Sequence, residues 1–216
     1  MKKIILSFIM VSVFIFSYSS PVYAKTATIA TSDFKTAMQE LYSNYTDISF
    51  DMDEENNPKT MTLEQYNSIM KEAKENLDDR ERQIEIDLKN GQAESADSLF
   101  GIGTRAIMPY TYASSVNTVV YGSNKIFMRC AFNIDIVATA DAQYGKFMNI
   151  DSHSVYRNGI SLDVSSCSVT NQYGSISSDR KKAYVGANVS IVFQYSVQGF
   201  TYQDTVNQLV AQSFSL

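Results

Sequence analysis

Cys130 and Cys167 are the two cysteines of this 216-residue chain. They form no C-x-x-C pair, so a thiol redox centre is not indicated. Each alternates with apolar neighbours, which puts Cys130 on the apolar face of a strand. Together with the export signal described below, this predicts a Cys130–Cys167 disulfide joining two strands, worth about 4 kcal/mol on chain-entropy grounds. Unpaired buried thiols are the alternative.

The single histidine, His153, stands among Asp151, Ser152 and Ser154. Neighbours in sequence cannot build a nucleophile–base–acid relay, and no G-x-S-x-G elbow occurs. One imidazole also excludes a histidine-rich zinc site. Asp135, Asp141, Asp151 and Asp163 fall at strand positions with nothing to pair any two of them as acid and base. No catalytic residue is assigned and no cofactor is expected.

The run Asp51-Met52-Asp53-Glu54-Glu55-Asn56 offers oxygens at alternate positions, as the first half of a calcium loop does. Asn56 stands where the sharp turn needs glycine, and Thr62 where the bidentate glutamate belongs. Asp51, Asp53 and Glu55 are therefore weak calcium candidates, with a solvated connector as the plainer reading. Tyrosine is abundant at 14 residues and tryptophan absent. Tyr110, Tyr112, Tyr156 and Tyr173, near expected strand ends, are candidates for stacking on a glycan or protein partner. Tyrosine also fills half-buried sheet positions for purely structural reasons. Arg180, Lys181 and Lys182 make too short a basic patch for nucleic acid; edge protection accounts for them.

The elements that must position these residues change character along the chain. Phe34, Met38, Leu41 and Tyr45 share one face of a helix over 33–45, with Ser32 as a reasonable N-cap. Thr62 and Gln65 match a capping box opening a second helix over 63–89. Tyr66, Met70, Ala73, Leu77, Ile84 and Leu88 mark its stripe, which Arg80 interrupts. A coiled-coil arm is the sharper alternative to a packed helical hairpin, and alternation at 84–88 leaves the last turns open to strand.

Beyond Thr111 the period becomes two. Over 125–141, Ile126, Met128, Cys130, Phe132, Ile134, Ile136 and Ala138 share one face, while Arg129, Asn133, Asp135 and Thr139 share the other. A second long alternation runs over 184–198, with shorter candidates at 116–121, 145–153, 160–170 and 205–214. Asn158-Gly159 reads as a type I′ hairpin turn. Short connections predict antiparallel pairing. The expected fold is α+β: a predominantly antiparallel β-sandwich-like domain of about six strands, preceded by two amphipathic helices. A single sheet covered by the helices is the close alternative.

Met1-Lys2-Lys3, the apolar run 4–16 and the small residues Val22 and Ala24 read as a secretory signal peptide cut after Ala24. The expected organisation is a signal peptide at 1–24, a helical region at 25–95 and an antiparallel β domain at 96–216. The formal net charge of −5, more acidic once Lys2 and Lys3 are removed, argues against nucleic-acid binding. These features predict a secreted, non-catalytic binding or cell-envelope interaction protein. Its expected partner is a protein or glycan at the cell surface, with no stable membrane span after cleavage and a monomer favoured. An exported hydrolase with dispersed carboxylates or hydroxyls, and a membrane-active β-hairpin protein, are the alternatives.

Overall fold

The computed structural model describes residues 27–91, 109–124, 128–159, 161 and 163–216. The expected leader at 1–24, the boundary near 95, and residues 125–127 of the first long strand lie outside the described residues.

Strands β1 (Thr28–Ala30) and β3 (Thr60–Thr62) pair antiparallel. Between them in sequence lie helix α1 (Thr31–Tyr42) and strand β2 (Ile48–Asp51). Helix α1 buries Phe34 and Met38 of the predicted stripe and, in place of Leu41 and Tyr45, which are half-buried, Tyr42; Tyr45 lies past the helix end. Its start is Ala30, not Ser32, and carries no side-chain cap. The entry is fixed from outside: the Thr31 N–H donates to the Lys59 carbonyl at 3.0 Å and its hydroxyl to that of Pro58.

The capping box of helix α2 (Leu63–Gly91) is formed on both sides. The Gln65 N–H donates to the Thr62 hydroxyl at 3.1 Å, and the Thr62 N–H to the Gln65 side-chain oxygen at 3.0 Å. Propagation from this nucleus carries the helix through 84–88 despite the local alternation there, leaving Ile86 and Leu88 exposed. Among the described residues no helix is long and apolar enough to cross a membrane.

Six long strands follow. β4 (Pro109–Tyr121), β5 (Arg129–Asp141) and β6 (Lys146–Asn158) form one sheet in that order. β7 (Val164–Ile176), β8 (Lys182–Val197) and β9 (Phe200–Ser215) form another, ordered β2-β9-β8-β7. The fold is thus α+β, with two helices and, among the described residues, nine strands in three antiparallel sheets. The expected count of about six strands missed β1, β2 and β3, each too short to show a period. The alternation over β5 is complete: Cys130, Phe132, Ile134, Ile136, Ala138 and Ala140 are all buried. They share one apolar core with Val185, Ala187, Val189, Ile191 and Phe193 of β8 and with the buried face of α1.

One turn reading is corrected. Asn158-Gly159 does not close a hairpin, because β6 pairs with β5 and β7 with β8; the turn starts the crossing from one sheet to the other. The two-residue hairpin is Gln198-Gly199, between Val197 and Phe200. Both its residues have positive φ, 51° and 84°, as a type I′ turn requires.

The predicted disulfide is also overturned: Cys130 and Cys167 are both free thiols. Burial, with Cys167 beside it, pushes the Cys130 thiol up to about 12.

Candidate functional site

Two of the three weak calcium candidates, Asp51 and Asp53, are engaged within the protein. Asp51 lies 2.9 Å from the Lys35 ammonium, and that hydrogen bond holds the Lys35 pKa above its ordinary value. Asp53 accepts the Glu55 N–H at 2.9 Å and the Asn56 amide, which keep its carboxyl below the usual range. Glu55 is exposed. Buried Asn57 clasps the segment to β9, donating to the Thr201 carbonyl at 3.0 Å and accepting the Thr201 N–H at 2.7 Å. Among the described residues, no three His, Cys, Asp or Glu side chains are gathered to hold a metal.

The four candidate tyrosines do not converge. Tyr112 is buried edge-on to Phe147, with ring centroids 5.3 Å apart, and half-buried Tyr110 shares its face of β4. Tyr173 on β7 packs its hydroxyl over Gly186, where an added Cβ would lie 2.7 Å from that oxygen. His153 faces inward opposite Ile136, its ring against Gly174. Tyr156 stands on the exposed face of the β4-β5-β6 sheet.

Sequence reasoning missed a buried polar cluster. Asp204 on β9 is fully buried and accepts the Tyr42 hydroxyl at 3.0 Å, the Tyr195 hydroxyl at 3.2 Å and the Ser123 N–H at 2.9 Å. Burial raises the carboxyl's pKa against the opposing pull of these donors, and raises both tyrosines well above their ordinary value. A cavity of about 50 Å³ beside it is lined by Ser123, Tyr195 and Tyr202. The buried Tyr202 hydroxyl has no protein partner. That volume suits water, whereas small-molecule sites span about 300–1,000 Å³. The cluster ties α1 to β8, β9 and the turn after β4, and its chemistry is that of a satisfied structural carboxylate.

The exposed face of the three-stranded sheet is organised differently. Register aligns Ser115, Asp135 and Ser154 in one row, Asn117, Asn133 and Tyr156 in the next, and Val119, Ala131 and Asn158 in a third. Rows are about 7 Å apart, two residues along each strand. Asn133 is the hub. Its side-chain oxygen accepts from Asn117 at 3.2 Å and Asn158 at 3.0 Å, and its amide donates to the Tyr156 hydroxyl oxygen at 3.2 Å. Ser115 donates to Asp135 at 2.5 Å, and Thr139 and Asn149 both donate to Asp151. Each amide has two donors and an oxygen with two lone pairs. The network therefore fixes the side chains and leaves the Tyr156 proton and the outer amide groups of Asn117 and Asn158 for solvent or a ligand.

No family model matches the chain, and no curated protein matches it. Among solved structures, the 2.75 Å crystal structure of a hypothetical protein from Listeria monocytogenes EGD-e is similar over 51% of this chain and 86% of its own, at 18% identity. The TM-score of 0.16 is too low for that likeness to carry an argument about fold or role.

The sequence had two of the signals for this face: the alternation that separates Asn133 and Asp135 from the core, and Tyr156 among the candidate tyrosines. The cross-strand register that joins them was not readable from either segment alone.

Proposed function

We propose that this chain is a secreted, non-catalytic binding module that holds a glycan on the exposed face of the β4-β5-β6 sheet. The observation that carries the reading is the Asn117–Asn133–Tyr156 row with Asn158 bonded into it. Planar amides offer paired donors and acceptors of the kind sugar hydroxyls require, and an exposed tyrosine ring offers a surface for sugar C–H faces. Because the amides are already held by one another, little side-chain freedom is lost on binding. In this reading the two larger sheets act as the layers of an antiparallel sandwich: the inner faces make the core and one outer face remains for the ligand.

The test is a titration of the full chain with soluble oligosaccharides, followed by backbone amide NMR. Shifts confined to β4, β5 and β6, lost in Tyr156→Ala and Asn133→Ala at unchanged thermal midpoint, are expected. Shifts located elsewhere, or none with any oligosaccharide at millimolar concentration, would overturn the proposal.

A further inference from the structure

β4 is an outer strand of its sheet, with β5 on one side only. The Gly122 N–H donates to the Met128 carbonyl, toward β5, while the Tyr121 carbonyl turns away to Arg80. Backbone groups alternate in direction along a strand. The odd positions Thr111, Ala113, Ser115 and Asn117 therefore aim N–H and C=O outward, and among the described residues nothing bonds to these groups. Their side chains are exposed as well. The other strand edges are engaged, interrupted or overhung. On β6 the Phe147 N–H donates to the Arg180 carbonyl at 2.7 Å and the Val155 N–H to the Gln172 side chain at 2.9 Å. β7 has two register shifts against β8 and a left-handed Asn171, φ 50°. Past β2, β9 adjoins the end of α2, where Ile84 and Leu88 share a groove with Ala211 and Ser213. That groove also reaches Thr118 and Val119, so the open stretch of β4 is 109–117. β4 carries no charged residue and no register shift against β5, with proline only at its first position. A long, regular, uncharged edge of this kind is a template for another strand.

We propose that two copies of this chain pair antiparallel along β4, joining their three-stranded sheets into one continuous sheet. The open stretch is its own complement. With Ala113 on the two-fold axis, Ala113 faces Ala113 and Thr111 faces Ser115 of the second copy, each pair exchanging both backbone hydrogen bonds. Pro109 ends the pairing: opposite Asn117 it accepts one bond and has no N–H to return. On the inner face Tyr110 meets Val116, an aromatic and β-branched cross-strand pair. The acidic character of the chain does not oppose this. The outer-face carboxylates nearest the edge, Asp135 and Asp141, sit one strand back on β5. Across the pair they stand at least three strand spacings from their copies, about 14 Å, beyond the screening length of about 8–10 Å. The axis runs through the sheet, so both outer faces, each with its Asn133 row, point the same way. The pairing departs from the monomer expected from the sequence, and it does not depend on the glycan reading.

The test follows the solution mass of the full chain against concentration, with hydrogen exchange of single amides. A dimer is expected. The Thr111, Ala113, Ser115 and Asn117 amides should exchange fast in dilute protein and about tenfold or more slowly in the dimer. Ala113→Lys sets two ammonium groups face to face across the axis and is expected to weaken the dimer about tenfold or more. Ala113→Glu is expected to do the same, and mixing the two variants to restore the dimer. The Ala113 side chain is exposed, and an unchanged thermal midpoint in dilute protein checks the fold of each variant. A monomer at every concentration overturns the proposal: free exchange of those amides then leaves the edge to another protein's strand, and slow exchange shows it paired within the chain. A dimer indifferent to Ala113→Lys overturns the assignment to β4. Loss in both single variants without recovery on mixing overturns the register centred on Ala113.

Discussion

Arg80 on α2 holds both carboxylate oxygens of Asp47, at 3.0 and 2.7 Å, while its Nε donates to the Tyr121 carbonyl at 2.9 Å. The guanidinium is fully buried, so the residue that breaks the apolar stripe of α2 is the one that fastens the helix to the segment before β2 and to the end of β4. Removing one partner of such a pair leaves the other charge or a backbone acceptor uncompensated, at about 3–5 kcal/mol. Arg80→Ala is expected near the upper end of that range. Asp47→Asn is expected lower, because Asp47 stays partly exposed. Urea denaturation of both variants checks the order, and a milder Arg80→Ala than Asp47→Asn would contradict this account.

The Asp204 cluster makes stability depend on pH with a definite sign. Burial lifts the folded-state pKa of Asp204 above its unfolded value of about 3.9. The folded chain therefore holds the proton more tightly, and this group's contribution falls as pH rises from the unfolded value through the folded one. Asp204→Asn is expected to flatten that segment of the stability–pH curve, measured by urea denaturation across the acid range. Asp204→Ala leaves three buried donors unanswered and is expected to cost about 3 kcal/mol or more.

The free thiols are open to direct chemical measurement. With its pKa pushed up to about 12, Cys130 has almost no thiolate at neutral pH and is expected to alkylate slowly until the protein unfolds. Mass analysis without reductant is expected to count two thiols after denaturation. A mass lower by two hydrogens would contradict the state seen here.

Gly186 is required by close approach. A Cβ there would lie 2.7 Å from the Tyr173 hydroxyl and 2.9 Å from the Ala211 Cβ, both across strands neighbouring β8. Gly186→Val is expected to destabilise by about 1–3 kcal/mol through overpacking. Gly186→Val with Tyr173→Ala is expected to recover part of that loss, because the exposed ring can be dispensed with and the Ala211 contact cannot. A double-mutant cycle in thermal or urea denaturation reads the coupling.

What was legible in the sequence depended on short-range physics. The Thr62/Gln65 box opens α2 because both its hydrogen bonds close within three residues. The inward run of β5 appeared as strict alternation because a strand buried on one face has no other pattern. Tyr156 was visible as a candidate for the same local reason. Asn133 and Asp135 were visible only as residues turned away from the core.

The sequence by itself determined the two helices, the antiparallel strand-rich half and the faces that β5 and β8 turn to the core, because period and capping act within a few residues. The tertiary structure alone decided that β2 joins β9, that Arg80 finds Asp47 and Tyr121, and that Gln198-Gly199 closes a hairpin while Asn158-Gly159 leaves its sheet. It also decided that Asn117, Asn133, Tyr156 and Asn158 meet. Those outcomes rest on register and on contacts between distant segments, where a shift of one residue turns every side chain to the opposite face.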